Sequence, residues 1–219
     1  MDSPTEENYL KALFKLSDEK GHVSISELSA AMNVSMPTAN SMVKKLDAQG
    51  WLKYERYKPL IITEKGKKKA SLIIRKHRLT EMFLVEKMGF SWENVHEIAE
   101  QVEHVQSEAF FDRMDELLGY PKIDPHGSPI PDKEGKTEDQ PFFQLSQCSP
   151  GQNVILRALT QSDLGLLNYL NSRSITLGTQ MQVMSKESYD GSINVLYAGD
   201  RIETLSALIG EKLLVEQME

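Results

Sequence analysis

Residues 35–63 read SMPTANSMVKKLDAQGWLKYERYKPLIIT and carry the clearest structural signals in the first part of the chain. Proline two residues after Ser35 and glycine at Gly50 are typical of the start and the end of a helix. Two β-rich runs follow at 51–55 and 60–63, and a basic, aromatic segment joins them as the tip of a hairpin. The stretch therefore predicts a helix followed by a β-hairpin.

Two further helix starts precede this stretch. Ser3 and Glu6 form a capping box, and Ser24 and Glu27 repeat it ahead of a shorter helix. Apolar residues follow each box at helical spacing: Leu10, Leu13, Phe14 and Leu16, then Leu28, Ala31 and Met32. A winged helix-turn-helix has this order of elements: helix, short helix, tight turn, helix and hairpin.

Charge is distributed unevenly along the 219 residues, whose formal net charge is −7. Residues 1–75 hold 13 Lys and Arg against 9 Asp and Glu, whereas residues 76–219 hold 12 against 23. The basic first part suits a polyanion, and the acidic remainder does not. Double-stranded DNA is therefore the expected partner of the first part.

The predicted recognition helix fits the major groove, where its first turn would read base edges. Lysines farther along that helix and the hairpin tip would contact phosphates or the minor groove. The candidate DNA-binding residues are Ser35, Pro37, Thr38, Asn40, Ser41, Lys44, Lys45, Arg56, Tyr57 and Lys58. The alternative is a winged helix that contacts protein, with these lysines merely solvated.

Three helical patterns follow, over about 64–88, 91–105 and 107–118, and form an acidic layer. Within it, one helical stripe consists of His96, Glu100, Glu103 and His104. His77 and Glu81 are four residues apart on the preceding helix, and residues at this spacing are neighbours. Imidazole nitrogen and carboxylate oxygen together suit a first-row divalent cation held between helices. Solvated acidic faces and structural histidines are the alternative.

The last third of the chain begins after a proline-rich segment. Residues 121–141 hold five of the nine prolines, which predicts an extended linker, and His126 within it is expected to be solvated. Beyond it, β-prone runs and one short helix near 163–170 predict a small β-barrel. The predicted strands cover 153–158, 180–185, 193–197 and 212–217.

Several classes of protein are disfavoured. We expect no enzyme, because the chain has no glycine-rich phosphate loop, nucleophile elbow or His-Glu-x-x-His motif. We expect no membrane segment, because near-apolar runs such as 72–74 and 82–85 are far shorter than the ~20 residues of a span. The lone Cys148 and the absence of a visible secretory signal predict a cytoplasmic protein.

Several segments, in order, resemble the diphtheria toxin repressor family of metal-dependent transcriptional repressors. They are VSMPTANSMVKKLDAQGW, LKYERYKPLIITEKGKKK, KHRLTEMF, VHEIAEQVEH and DPHGSPIPD, and 143–218 resembles the SH3-like FeoA-type barrel of many members. The resemblance implies a mainly α fold with small β parts. The expected domains are a winged helix-turn-helix at 1–70, a helical metal-binding and dimerisation domain at 71–120, a linker at 121–142 and the barrel at 143–219.

The resemblance also implies a function. Members act as homodimers that bind a palindromic operator when loaded with a divalent metal, and so silence metal-uptake genes. The expected co-repressor is Mn²⁺, with Fe²⁺ as the alternative.

The ligand sets follow by matching positions. His77, Glu81 and His96 match the ancillary metal site of the family. Glu100, Glu103 and His104 match its primary site, and Asn8 stands at the remaining ligand position.

This chain departs from the family at two positions in the first helix. Glutamate at Glu100 follows the manganese-responsive branch, whereas iron-responsive members have cysteine there. Asn8 replaces the aspartate or methionine of the two branches, and Lys11 stands where the manganese branch has a second acidic ligand. In some members the barrel supplies an ancillary ligand, for which Asp163 is the nearest candidate.

Two other functions remain compatible with the residues. The histidines and glutamates of the acidic layer could form the two-metal centre of a hydrolase. A winged-helix regulator could instead respond to an organic effector or a partner protein, independently of metal.

Overall fold

A computed structural model describes residues 3–138 and 140–218, so the outermost residues of the predicted domains and Asp139 of the predicted linker lie outside the description. By its internal contacts the chain forms two compact units. The first unit comprises Met1–Thr80, Ile98–Tyr120 and Ile130–Thr137, and the second comprises Glu81–Glu97, Pro121–Pro129 and Glu138–Glu219. Along the described residues no helix is both long and apolar enough to cross a bilayer.

The first unit begins with the predicted winged helix-turn-helix. Its elements are α1 (Pro4–Lys20), α2 (Ile25–Ala31), α3 (Met36–Ala48), β1 (Leu52–Lys53) and β2 (Ile61–Ile62). Both capping boxes form, because Ser3 and Ser24 each accept from the backbone N–H three residues on and the glutamates bond back. β1 and β2 pair antiparallel, with Leu52 opposite Ile62.

One apolar core holds these elements together. Leu10 and Leu13 of α1 pack with Leu28 of α2, Val43 of α3 and Leu60 before β2, and all five are fully buried. α4 (Glu64–Met88) starts directly behind the hairpin. A Cβ at Gly66 would lie 2.0 Å from the carbonyl oxygen of Trp51, so only glycine permits this approach.

The acidic layer consists of α4, α5 (His96–Val102) and α6 (Glu108–Leu117), with a 3₁₀ turn at Trp92–Asn94. α4 has the predicted limits, but the second pattern was expected to reach about 105 and ends earlier. The amide of Glu103 still bonds to the carbonyl of Ala99 at 2.9 Å, whereas Val105 bonds only three residues back, to Val102. Glu103 and His104 therefore lie in a tight turn after α5.

The second unit contains an antiparallel sheet in the order β3-β8-β4-β5-β6-β7. Its strands are β3 (Phe143–Gln144), β4 (Asn153–Leu159), β5 (Gln180–Lys186), β6 (Ile193–Tyr197), β7 (Arg201–Leu205) and β8 (Leu213–Gln217), with helices α7 (Leu164–Asn171) and α8 (Ala207–Lys212). Fully buried residues such as Leu156, Leu170 and Val183 fill its core. The sequence predicted four of these strands and α7, but not β3, β7 or α8.

Over residues 121–138 the proline-rich segment forms turns rather than an extended linker. The Asp124 carboxylate accepts from the amides of His126 and Ser128 at 2.8 and 2.9 Å, and Asp132 makes an equivalent turn over Glu134 and Lys136. The expectation that His126 is solvated is wrong, because this turn buries its side chain. Aspartates that bond their own backbone give the segment its structure despite its prolines.

Candidate functional site

Three segments of the first unit meet around Glu103, whose side chain is 0% exposed. One carboxylate oxygen lies 2.6 Å from Nδ1 of His77 on α4. The other lies 2.6 Å from Nζ of Lys11 on α1 and 3.7 Å from Nε2 of His104. We call these residues, with Glu7, Asn8 and Glu100, the first cluster.

Lys11 joins two carboxylates of the first cluster. Its Nζ donates to Glu100 Oε1 and to Glu103 Oε1, both at 2.6 Å. Ligand atoms of His77, Glu100 and Glu103 all lie within 4.8 Å of one another. Glu100 and Glu103 of the predicted primary set are therefore close together, with His77, which was expected in the ancillary set, and the ammonium group of Lys11 beside them.

Glu7 is a member of the first cluster that sequence reasoning missed. It is fully buried, and its Oε2 lies 2.6 Å from His104 Nδ1, while its Oε1 accepts from Gln106 and lies 3.6 Å from Lys69 Nζ. Glu7 precedes Leu10 by three residues, so a carboxylate falls on the apolar stripe of α1. The sequence signal that could have identified Glu7 is an acidic residue on the core-facing stripe of α1.

Asn8 provides an independent test of whether a metal ion fits the first cluster. Its Oδ1 is buried and has no hydrogen-bond partner among the described residues. A buried amide oxygen without a partner costs free energy, because its water contacts are not replaced. Because Asn8 follows Glu7 directly on α1, its unsatisfied amide oxygen is a donor that, together with carboxylates and imidazoles, fits a divalent cation.

A second cluster lies in the second unit, formed by Glu81, Asp124 and His126. All three side chains are buried, and their ligand atoms lie within 4.8 Å of one another. Glu81 Oε2 is 3.7 Å from His126 Nδ1, and Glu81 Oε1 is 3.3 Å from Nδ1 of His96, whose side chain is 57% exposed. Beside Glu81 and His96, two of the three residues expected in the ancillary set, the structure thus places Asp124 and His126.

The ring of His126 is fixed by its surroundings. Its Nε2 lies 3.0 Å from the carbonyl oxygen of Trp92, which can only accept, so Nδ1 faces Glu81. Burial lowers the pKa of His126, but hydrogen bonding to Glu81 and the charges of Glu81 and Asp124 outweigh it, and the pKa lies above its ordinary value. A cation or a proton is therefore favoured between these carboxylates.

Gly127 lets this turn pack against the sheet. Its φ is +85°, and a Cβ there would lie 2.2 Å from the carbonyl oxygen of Arg157 on β4. The backbone of the turn also pairs with the sheet, since the Leu159 amide donates to the His126 carbonyl at 3.0 Å. The second cluster therefore depends on a glycine that no other residue can replace without strain.

The residues expected in the ancillary set, His77, Glu81 and His96, make the following contacts. His77 bonds Glu103, one helical turn before Glu81 on α4, and Glu81 contacts His96 and His126. Asp163 caps α7 and lies 3.3 Å from Lys212 Nζ. The ligand roles of these residues remain predictions.

The donor atoms of both clusters are oxygen and nitrogen. Cys148 is buried in the core of the sheet unit, and burial raises the pKa of its thiol, so it resists forming a thiolate ligand. Carboxylate, amide and imidazole ligands suit Mn²⁺ and Fe²⁺ more than soft thiophilic ions.

The predicted DNA-reading turn lies on the surface of the first unit. Ser35 caps α3, Asn40 is half-buried, and the other predicted contact residues of α3 are exposed: Ser35, Pro37, Thr38, Ser41, Lys44 and Lys45. Ser35 and Thr38 hydroxyls are 2.8 Å apart, which orders the first turn. Lys45 also contacts Glu6 of α1 at 3.1 Å.

The hairpin tip is equally accessible. Arg56, Tyr57 and Lys58 are exposed, with Tyr57 89% exposed. Tyr57 has a φ of +67°, and the guanidinium of Arg56 lies 4.8 Å from its ring centroid. Lys58 forms an ion pair with Glu55. A basic and aromatic tip beside an exposed helix start is the surface that the DNA hypothesis requires.

A winged helix that shares its first helix with a carboxylate and imidazole cluster defines a class: DNA-binding regulators that respond to a metal ion. Comparison with known proteins identifies the domains. Residues 1–60 match the N-terminal DNA binding domain of the iron dependent repressors, 63–132 match their metal binding and dimerisation domain, and 143–217 match the FeoA domain.

Similar proteins include regulators named for both metals. The iron-dependent repressor IdeR of Mycobacterium tuberculosis is 28% identical over 226 residues, covering 98% of this chain and 97% of IdeR. The HTH-type transcriptional regulator MntR of Geobacillus kaustophilus is 35% identical over 120 residues, covering 55% of this chain and 84% of MntR.

Solved structures agree with this relationship. A manganese-dependent transcriptional repressor in complex with manganese has a TM-score of 0.87 and 30% identity, covering 97% of this chain and 100% of that chain. The chain belongs to the iron-dependent repressor family of metal-dependent transcriptional repressors. The predicted resemblance, fold class and general function are confirmed.

Proposed function

We propose that this protein is a homodimeric repressor in the cytoplasm that binds a palindromic operator and silences metal-uptake genes when loaded with Mn²⁺. The observation that carries the proposal is the dual role of α1. One face of this helix enters the first cluster, and the other holds the recognition helix α3.

The contacts of α1 to α3 are specific. Glu6 accepts from Gln49 at 2.7 Å and lies 3.1 Å from Lys45, both at the C-terminal part of α3. The next residue, Glu7, bonds His104 beyond α5. A change in how α1 attaches to the acidic layer is therefore transmitted to the recognition helix α3 through the adjacent residues Glu7 and Glu6.

The proposed ligands of the first cluster are Asn8, His77, Glu100, Glu103 and His104. Glu7 orients His104 through Nδ1, which leaves Nε2 directed toward Glu103. A bound divalent cation supplies concentrated positive charge that neutralises the buried carboxylates and attracts the amide oxygen of α1. Glu81, Asp124, His126 and His96 are proposed as the second metal-binding set.

Manganese is the proposed metal because the ligands are hard. Carboxylate, amide and imidazole donors suit Mn²⁺. Glu100 also stands where iron-responsive members of the family that the sequence resembles have a cysteine. Similar structures hold manganese, cadmium and zinc according to their descriptions. Fe²⁺ is the alternative co-repressor.

The proposed dimer interface lies on α6. Phe110 and Leu117 are two turns apart on one face, and both are substantially exposed, as is Tyr120 just beyond the helix. Exposed aromatic and aliphatic residues at such spacing are typical of an interface. A two-fold dimer reads a palindrome when its recognition helices stand about one DNA turn, ~34 Å, apart.

Footprinting tests this proposal on DNA upstream of the manganese and iron transporter genes of the source organism. We expect a symmetric protected region with Mn²⁺ and none in chelator. Protection that is unchanged in chelator would favour the metal-independent regulator.

A further inference from the structure

Lys11 is placed as a ligand-like group inside the first cluster. Its ammonium donates to Glu100 Oε1 and Glu103 Oε1 at 2.6 Å each, and its side chain is 21% exposed. Glu103 is fully buried, and a buried carboxylate without a positive partner costs free energy. Lys11 supplies that partner from the first helix.

The same two carboxylates are the ones that a divalent cation needs. Ligand atoms of Glu100, Glu103 and His77 lie close enough together to hold one ion. An ion coordinated by these carboxylates would sit within a few ångström of the ammonium, where two positive charges repel strongly at low effective dielectric. The ion and the ammonium therefore compete for one place.

We propose that Lys11 is a built-in competitor for the metal, so that its ammonium group must leave Glu100 and Glu103 before the ion binds and thereby sets the metal concentration of the response. This inference rests on the proposed function. The partial exposure of Lys11 and its flexible four-carbon stem give the ammonium a route to solvent.

The exchange also changes what fastens α1. Asn8 and Lys11 are three residues apart on that helix, on neighbouring positions of one face. Lys11 ties α1 to α5 and to the turn after it through two ion pairs, whereas the buried Oδ1 of Asn8 has no partner among the described residues. Metal binding would replace a lysine attachment by an amide attachment one turn earlier.

The test is an equilibrium titration of the full chain with Mn²⁺, in which electron paramagnetic resonance measures the concentration of free Mn²⁺. Lys11→Ala removes the ammonium and adds no donor atom. Lys15→Ala is the matched control, since Lys15 is an exposed lysine one turn farther along α1. We expect at least tenfold tighter binding at one site in Lys11→Ala and an unchanged affinity in Lys15→Ala.

A second readout separates competition from damage. In chelator, Lys11→Ala should unfold at a lower temperature than wild type, because Glu103 loses its positive partner, and Mn²⁺ should raise its unfolding temperature by more than it raises that of wild type. Lys11→Arg keeps the cation, so its Mn²⁺ affinity should not exceed that of wild type. Lys11→Leu is measured in the same way if the alanine variant does not fold.

Equal or weaker Mn²⁺ binding in the folded Lys11→Ala or Lys11→Leu variant would overturn the inference. That failure is distinguishable from failure of the proposed function. If wild-type operator binding still requires Mn²⁺, the repressor proposal stands and only the role of Lys11 is wrong. If Mn²⁺ does not change the affinity of the wild type for the operator, the repressor proposal itself fails.

Discussion

Glu6 and Glu7 are adjacent on α1, both are buried, and they bind opposite parts of the first unit. Glu6 contacts Lys45 and Gln49 of the recognition helix, whereas Glu7 bonds His104 beside the first cluster. Successive helical residues point about 100° apart, so one short segment reaches both partners. The first cluster and helix α3 are thereby connected through two neighbouring side chains.

Glu6→Gln is expected to destabilise the winged helix in a pH-dependent way. The backbone amide of Ser3, together with Lys45 and Gln49, lowers the pKa of Glu6 from 4.5 to about 2 despite its burial. A lowered pKa contributes stability that is present above pH 4.5 and is lost as the pH falls toward 2. Urea unfolding in chelator should show a loss of up to about 3 kcal/mol at pH 7.

The same comparison made at lower pH provides the control for Glu6. The difference between wild type and Glu6→Gln should shrink steadily between pH 4.5 and pH 2. A difference that stays constant over that range would show that the carboxylate charge is not what stabilises α1.

His104→Ala is expected to abolish the effect of metal on operator binding while leaving weak, salt-sensitive binding to any DNA. The imidazole bridges Glu7 and Glu103, so its removal takes a ligand and the orientation of two carboxylates together. His77→Ala should act similarly, since His77 bonds Glu103. His22→Ala, at an exposed position, is the control. A metal response retained in His104→Ala would refute the assignment of the first cluster.

Gly127→Ala is expected to disrupt the second cluster while leaving the winged helix folded. An added Cβ would collide with the Arg157 carbonyl, and the φ of +85° disfavours any side chain. Mn²⁺ titration should lose one site, and thermal unfolding should occur at a lower temperature. Gly151→Ala also has a positive φ but meets no atom within 4 Å, so it controls for backbone strain alone. Equal effects of the two substitutions would contradict the role assigned to Gly127.

Thr38→Ala and Lys44→Ala are expected to affect DNA binding in different ways. Thr38 lies exposed in the first turn of α3, so its loss should reduce discrimination between operator and altered operator. Lys44 lies one turn or more later, nearer the phosphates, so its loss should weaken binding to all sequences and lower the salt slope by about 1. Binding isotherms at several salt concentrations measure both. Identical changes in the two variants would contradict this division of labour.

The elements with local signals could be predicted from sequence. Capping boxes at Ser3 and Ser24 marked the starts of α1 and α2, proline at Pro37 marked the start of α3, and the helical pattern over 64–88 matched α4. β7 lacked such a signal, because apolar and polar residues do not alternate regularly along Arg201–Leu205. The strand forms through its antiparallel pairing with β6.

The candidate site was predictable only in part. Matched spacing indicated His77 and Glu81 on α4, and His96, Glu100, Glu103 and His104 on the helical pattern that follows. Glu7 and His104 are 97 positions apart, and His126 reaches Glu81 through a turn that composition alone describes as a linker. Contacts of this kind depend on tertiary packing, which local patterns do not encode.

In the proposed function, a divalent metal controls operator binding through α1 and the first cluster. Fluorescence anisotropy measures this control with operator DNA at fixed salt, first in chelator and then with Mn²⁺ or Fe²⁺ titrated in. We expect at least tenfold tighter binding with metal, a coupling of about 1.4 kcal/mol, and a larger effect of Mn²⁺ than of Fe²⁺. Equal affinity in chelator and in saturating metal, with the protein folded, would refute metal control of operator binding.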